Sequence, residues 1–504
     1  MPIDLSSPAG VSLALLPEIL LTVWALVLLL VIGWRHDQPD AHRQAAWVAL
    51  AGLVTALGAV LWLWRAGARP EGLPLMIALD GFRWATAAIF LIGAIAAVAL
   101  ALGYLGRERI YVPEFYAMLL LATVGMLLMG AAADLIVVFL GLELMSISVY
   151  VLAAIKRRSA ASAEAGLKYF LLGAFASGFL LYGIALIYGA TGTTNLATIA
   201  LQTGSSRIAE RPMLPIGVAL LLVGFGFKVS AVPFHMWAPD VYDGAPTPVT
   251  AFMAAAVKAA GFAALVRVAF TALGDVPDVW QTILWWLAAL TMIVGNLVAL
   301  AQRRLKRMLA YSSVAHAGYL LVAVTSGTAA GASALVFYAL AYTLMTVGAF
   351  AVLAAVGRDG ESDVTIDDLN GLAARRPWVA LAMAVFMLSL LGFPGTAGFI
   401  GKWLILSATI GADQAVLAVI LVGASVVSAG YYLPVIMAMY MKPADDPALA
   451  EGVDLAGGTR AVVATAVLAL LLFGVWPNRL IDLARASGAD LESPAGLIVG
   501  DRAP

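Results

Sequence analysis

Runs of about 20 consecutive apolar residues recur along almost the whole chain, and they constrain its fold more than any other feature. Wound as an α-helix at about 1.5 Å per residue, such a run matches the ~30 Å hydrocarbon core of a bilayer. In lipid a lone apolar segment must satisfy its own backbone N–H and C=O groups, which a helix does. The runs fall at about 11–34, 43–64, 82–105, 114–132, 134–155, 165–189 and 213–237. They continue at about 248–273, 279–301, 305–326, 330–356, 378–411, 413–441 and 460–476. This predicts an all-α polytopic membrane protein of about fourteen transmembrane helices. Of the 504 residues only 12% are charged, about half the share of a soluble domain. No Lys or Arg stands before the first run, so it lacks the basic region of a signal peptide and reads as a permanent span.

The loops set an orientation. Basic residues cluster after the first span (Arg35, Arg43), the third (Arg107, Arg109) and the fifth (Lys156, Arg157, Arg158). They cluster again after the ninth (Arg303, Arg304, Lys306, Arg307), the eleventh (Arg358, Arg375, Arg376) and the thirteenth (Lys442, Arg460). Loops after even spans hold only Arg65, Arg69, Arg83, Arg207 and Arg211. The positive-inside rule then places both termini on the outer face of a bacterial inner membrane. The loop after the seventh span departs from the pattern, with Asp240 and Asp243 and no basic residue. The longest polar pieces, about 190–212, 357–377, 442–459 and the tail from Pro477, are too short for a water-soluble domain. Asp359, Glu361, Asp363, Asp367 and Asp368 read as a solvated loop, or as a docking surface for a neighbour.

Several ionisable residues fall inside the spans. Glu143 lies in the fifth, Lys168 early in the sixth, Lys228 in the seventh, Lys258 in the eighth and Lys402 in the twelfth. A charge at the bilayer centre costs about 2.5–3.5 kcal/mol on insertion scales, so each must pair, face water, or be neutral part of the time. Burial lowers a lysine's proton affinity and a carboxylate neighbour restores it, so a lysine between the two effects can load and release a proton as its partner moves. A line of such residues is therefore read as a proton path. Static ion pairs that fix helix register are the plain alternative and the favoured one for Arg267, which could also snorkel outward.

Two spans carry breaks. Lys228-Val-Ser-Ala-Val-Pro233 puts a proline just past the lysine, and Leu391-Gly-Phe-Pro-Gly-Thr-Ala-Gly398 precedes Lys402. Proline and clustered glycines interrupt the helical hydrogen-bond ladder, which at membrane depth is tolerated only against protein or water. The breaks stand five spans apart, an odd number, so a repeat that related them would be inverted. The expected division is a three-helix segment 1–112, repeats 113–273 and 274–442, and a last helix with its tail, 443–504. His316 lies inside the tenth span with Tyr311, Ser312 and Ser313 nearby, and a mid-membrane histidine can relay protons near neutral pH. The chain has no cysteine, which excludes thiolate-held iron–sulfur clusters and metals.

The motif Gly226-Phe-Lys-Val-Ser-Ala-Val-Pro-Phe-His-Met-Trp-Ala-Pro-Asp240, followed by Gly244-Ala-Pro-Thr-Pro-Val249, resembles the antiporter-like subunits of respiratory complex I, the proton-translocating NADH–quinone oxidoreductase. So does Lys306-Arg-Met-Leu-Ala-Tyr-Ser-Ser-Val-Ala-His-Ala-Gly-Tyr319. Within that family Asp368-Leu-Asn-Gly-Leu372, with Lys402 beyond it, is most similar to the subunit N branch. The middle antiporter-like branch is expected to carry Glu where Lys402 stands, and the largest branch a long lateral helix for which the tail after Trp476 offers no run. The family often has two consecutive prolines in the second break, where this chain has Pro394-Gly395.

The resemblance implies a membrane-arm subunit whose catalytic path is Glu143, Lys228, Lys258 and Lys402, with His316 and Lys168 as weaker relays. Glu143 would be the partner of Lys228. It implies no cofactor in this chain: NADH, FMN, iron–sulfur clusters and quinone would belong to partner subunits of a hetero-oligomer in lipid, with no nucleic acid. The chain would thus be part of an NADH:quinone oxidoreductase translocase while doing no redox chemistry itself. A subunit of a multisubunit sodium/proton antiporter is the nearest alternative, and a structural scaffold the most distant one.

Overall fold

A computed structural model of the chain describes residues 1–35, 41–71, 76–204, 212–357, 364–443 and 455–491. Of the residues singled out above, Arg207, Arg211, Arg358, Asp359, Glu361 and Asp363 lie outside the described residues. The helices run α1 (Pro8–Ala14), α2 (Leu16–Arg35), α3 (Ala41–Arg65), α4 (Gly81–Arg107), α5 (Glu114–Ala131), α6 (Leu135–Ala153), α7 (Ala160–Thr191) and α8 (Leu196–Thr203). After them come α9 (Met213–Val229), α10 (Trp237–Gly244), α11 (Thr247–Ala272), α12 (Gln281–Leu300), α13 (Leu305–Thr325) and α14 (Ala329–Val356). The chain closes with α15 (Leu372–Arg375), α16 (Pro377–Leu391), α17 (Ala397–Gly411), α18 (Ala415–Met441), α19 (Gly457–Val475) and α20 (Asn478–Ala489). A two-residue parallel pairing of Pro2–Ile3 with Arg69–Pro70 is the only named sheet among the described residues.

Twelve of these helices are long and apolar enough to cross a bilayer. The shorter apolar helices α9, α16 and α17 lie where the seventh and twelfth spans are expected. Both of those spans are split, for local reasons. α9 ends on Ser230 in the left-handed region (φ 64°), and Pro233 follows without an N–H to offer a helix. α16 ends on Gly392, also left-handed (φ 89°), where a Cβ would press on Lys402 Cδ at 3.0 Å.

Other ends are capped by short polar side chains. Asp134 Oδ1 accepts from Ile136 N at 2.8 Å at the start of α6, and Thr328 Oγ1 accepts from Gly331 N at 3.2 Å at the start of α14.

α11, α13 and α14 are almost wholly enclosed by the other helices, whereas α2, α7 and α18 expose apolar side chains such as Leu30, Phe175 and Val419 along one flank. In lipid that exposed flank has no desolvation cost, and the enclosed helices are where polar groups gather. α11 is not a uniform helix. It contains two π turns, Met253–Val257 and Val268–Ala272, and the first ends immediately before Lys258.

Two local expectations need correction, and Arg267 takes its favoured alternative: it does not snorkel but is 3% exposed and held inside by a carboxylate. The piece from Pro477 is not simply a polar tail, because α20 forms there and docks Ala484, Ser487 and Gly488 against α14, with Gly81 N donating to Asp490 Oδ2 at 2.6 Å. Asp240 and Asp243, which lack basic neighbours in sequence, gain them in space. Asp240 meets Lys168 at 2.9 Å and Arg307 at 3.1 Å, and Asp243 meets Arg304 and Arg307.

Candidate functional site

Three lysines and a histidine from four different helices are buried in the interior: Lys228 at the end of α9, Lys258 in α11, His316 in α13 and Lys402 in α17. The least buried, Lys402, is 6% exposed. Lys228 Nζ donates to Ser146 Oγ at 2.8 Å and lies 3.5 Å from Tyr169 Oη. Lys258 Nζ donates to the Ser313 carbonyl at 2.7 Å and also meets the Ser313 hydroxyl. Lys402 Nζ donates to the Leu391 carbonyl at 3.0 Å, a group that the end of α16 leaves without a helical partner, and sits 4.5 Å from the centre of the Tyr319 ring. His316 Nδ1 lies 2.7 Å from Tyr338 Oη, and Nε2 lies 3.0 Å from Tyr432 Oη.

Every partner of these three ammonium groups is a hydroxyl, a carbonyl or a ring face. Among the described residues none of them has a carboxylate within ion-pair distance. Glu143 and Lys228, expected to pair, are not in direct contact. Glu143 Oε1 accepts from the Ser177 hydroxyl on α7, while Lys228 faces Ser146, one turn along α6 from Glu143. The gap lined by Ser146, Tyr150, Ser177 and Lys228 has a volume of about 10 Å³, close to the ~10–15 Å³ that one water requires. Beside the second break a cavity of about 410 Å³ is lined by Gly392, Phe393, Lys402, Trp403 and Ser425, among others.

Lys168 is not brought to this line. Its side chain is 41% exposed and held by Glu164 at 2.6 Å and Asp240 at 2.9 Å. Arg267 belongs elsewhere too: its guanidinium grips Asp80 through two bonds of 2.7 and 2.8 Å, and Nε donates to the Gly130 carbonyl at 3.0 Å. Asp80 also accepts from Arg83 N at the start of α4. Burial pushes the Asp80 carboxyl up, but the Arg267 charge and its hydrogen bonds, with those of Arg83, outweigh burial and hold it below its ordinary value. Arg83 is buried in turn and meets Glu18 at 2.8 Å and the Ala14 carbonyl at 2.8 Å.

Asp80 and Glu18 carry no signal in sequence, because each stands near the end of an apolar run and gains meaning only from an arginine 187 or 65 residues away. The hydroxyls of Ser146, Ser177, Tyr338 and Tyr432 were equally unmarked, being ordinary components of apolar helices. Among the described residues no carboxylate touches these three ammonium groups, so each can change protonation state without unpairing a contacting carboxylate, which the arginine pairs cannot do. The arrangement is therefore suited to moving protons between fixed stations.

Comparison with known proteins gives a consistent answer. Residues 132–428 match the family model described as NADH:quinone oxidoreductase/Mrp antiporter, TM. The NADH-quinone oxidoreductase subunit N of Gemmatimonas aurantiaca is 48% identical over 499 residues, covering 96% of this chain and 94% of that one. The subunit N of Rhodospirillum rubrum is 42% identical, covering 94% and 96%. A chain in the structure of respiratory complex I from Thermus thermophilus with bound aureothin superposes with a TM-score of 0.79 at 39% identity, covering 94% of this chain and all of that one. A chain of the Mrp complex from Dietzia sp. shares the fold, with a TM-score of 0.81 at 24% identity.

Proposed function

Because the chain belongs to the NADH:quinone oxidoreductase/Mrp antiporter transmembrane family, we propose that its interior lysines carry protons across the membrane within an assembled NADH–quinone oxidoreductase. The chain is a multi-pass membrane-arm subunit of the N type, and it works beside other membrane-arm subunits. NADH oxidation and quinone reduction, with their flavin and iron–sulfur groups, are assigned to those partners. A sequence without cysteine supports that division.

The observation that carries the assignment of residues is the absence of a carboxylate from Lys228, Lys258 and Lys402 among the described residues, although all three are buried. Glu143, held by the Ser177 hydroxyl one turn along α6 from the Ser146 that holds Lys228, is the group through which a neighbour's conformational change would act. A shift of Glu143 toward Lys228 favours the ammonium, and a shift away favours release toward Lys258, His316 and Lys402. Lys168 fits an input role better than a place on the line, since it is exposed among acids.

The proposed division keeps 1–112 as a leading segment, 113–273 and 274–442 as repeats of opposite orientation, and 443–504 as the close. Left-handed breaks at Ser230 and Gly392, each beside a lysine, support the repeats. The basic loops support a cytoplasmic face for the odd connections and an outer face for both termini. The test is proton pumping by assembled complexes in vesicles. Lys228→Ala and Lys402→Ala complexes that retain wild-type proton stoichiometry would end this reading. Sodium-driven exchange in vesicles devoid of NADH oxidation would favour instead the antiporter role of the Mrp relatives.

A further inference from the structure

The tyrosines around His316 have no role in the scheme above. Tyr342 and Tyr338 stack on the imidazole, with ring centres at 4.9 and 5.9 Å, and Tyr319 meets it edge-on at 5.3 Å. Both ring nitrogens are engaged by phenol oxygens, Nδ1 by Tyr338 and Nε2 by Tyr432, and the Tyr432 hydroxyl also bonds the Ser312 hydroxyl. A neutral imidazole donates from one nitrogen and accepts at the other. Two arrangements therefore satisfy the chain Ser312–Tyr432–His316–Tyr338. In the first, Ser312 donates to Tyr432, Tyr432 donates to Nε2, and Nδ1–H donates to Tyr338. In the second, every donor is reversed.

We infer that Tyr432 and Tyr338 are proton-relay residues that pass a proton through His316 by exchange of its two neutral tautomers. The inference rests on the proton-translocating reading above and adds two residues to it. In the forward step a proton bonds to Ser312 Oγ, and the proton already there moves to Tyr432 Oη. The Tyr432 proton moves to Nε2, the Nδ1 proton moves to Tyr338 Oη, and Tyr338 releases its original proton. One proton enters and one leaves, no electrons change hands, and no imidazolium has to be held in the core. The chain is left in the second arrangement, so it passes one proton for each return to the first.

Placement favours the same assignment. Lys258 is anchored on Ser313, next to the Ser312 end. At the other end the Tyr338 ring fills the space that a Cβ on Gly401 would occupy, one residue before Lys402. Tyr431, beside Tyr432, donates to Asn296 Oδ1 at 2.8 Å, and the Asn296 amide in turn reaches Tyr319 at 3.3 Å. The aromatic stack and this amide clamp keep the relay atoms at hydrogen-bond distance.

The test uses whole complexes in vesicles, with NADH as electron donor and a pH-sensitive dye as readout. Tyr432→Phe and Tyr338→Phe remove one oxygen each. They are expected to lower coupled turnover by roughly tenfold or more, toward the ~10²–10⁴ range of positioned proton donors, while flavin content stays at the wild-type level. Wild-type turnover and stoichiometry in both, with Lys402→Ala impaired, overturns the relay and leaves the broader reading standing. Wild-type behaviour in all three overturns that reading itself. If the Phe variants fail to assemble, fluorotyrosine at position 432 keeps the hydroxyl and shifts its acidity. A change in turnover and in solvent deuterium isotope effect then supports the relay, and no change in either overturns it.

Discussion

The molecule buries its cations in two ways. Near α4 each buried arginine has its own carboxylate, Arg83 with Glu18 and Arg267 with Asp80, and further backbone carbonyls absorb the spare N–H groups. Along the interior line Lys228, Lys258 and Lys402 touch, among the described residues, only hydroxyls, carbonyls and aromatic faces. An always-protonated guanidinium with a fixed counter-ion is a fastener, whereas an ammonium without one is free to exist in two states. Burial alone thus does not identify a working charge; the partner does. The second broken helix makes the point most plainly, since the Leu391 carbonyl that receives Lys402 exists as a free acceptor only because α16 stops there.

That contrast is open to attack at several strengths. The largest effect is expected from Arg267→Ala, which strands the Asp80 carboxylate inside. A loss of about 3–5 kcal/mol follows, seen as failure of the subunit to assemble on native gels, and replacing both partners with apolar residues should recover much of it. Next comes Lys402→Arg, which keeps the charge but removes the neutral state. Assembly should persist while coupled turnover falls by about tenfold, equivalent to about 1.4 kcal/mol in the rate-limiting barrier; normal turnover would place Lys402 with the fasteners.

A smaller, pH-dependent effect concerns Asp80. Its folded-state value lies below the ordinary 3.8, so its contribution is fully present above that value and is lost as pH falls through the lower folded one. The melting-temperature gap between wild type and Asp80→Asn should therefore be constant above about pH 5 and close in more acid solution. The smallest effect is expected where an ion pair is fully solvated. Lys442→Ala breaks a 2.9 Å contact with Asp367 on the surface and should leave both assembly and turnover unchanged.

The spans were legible because apolar length is a local property, and the lysines because a charge inside such a run is conspicuous. What was hidden depends on pairs distant in the chain. The span of Arg267 gives no hint of Asp80, and spacing cannot reveal that Glu143 turns to Ser177 while Lys228 turns to Ser146. The tyrosines at 338 and 432 come from α14 and α18 and converge on α13 only after packing. α20 escaped notice for a different reason. Its buried face is built from Ala484, Ser487 and Gly488, small residues that pack closely but scarcely raise hydropathy.

The π turn before Lys258 gives α11 one residue more than a regular ladder would use in the same length. Angular phase along that helix is therefore a matter of counting. Deleting a single alanine from Ala254–Ala256 would let the ladder close as ordinary α-helix, with hydropathy and membrane fit almost untouched. Because the wide turn already absorbs that residue, the two halves would keep their phase, with Thr250 still facing the Tyr242 carbonyl and Lys258 still facing Ser313, whereas the same deletion from a regular turn would rotate one half by roughly 100° against the other. In this helix the lysine's bearing depends on which turn holds a residue rather than on side-chain chemistry.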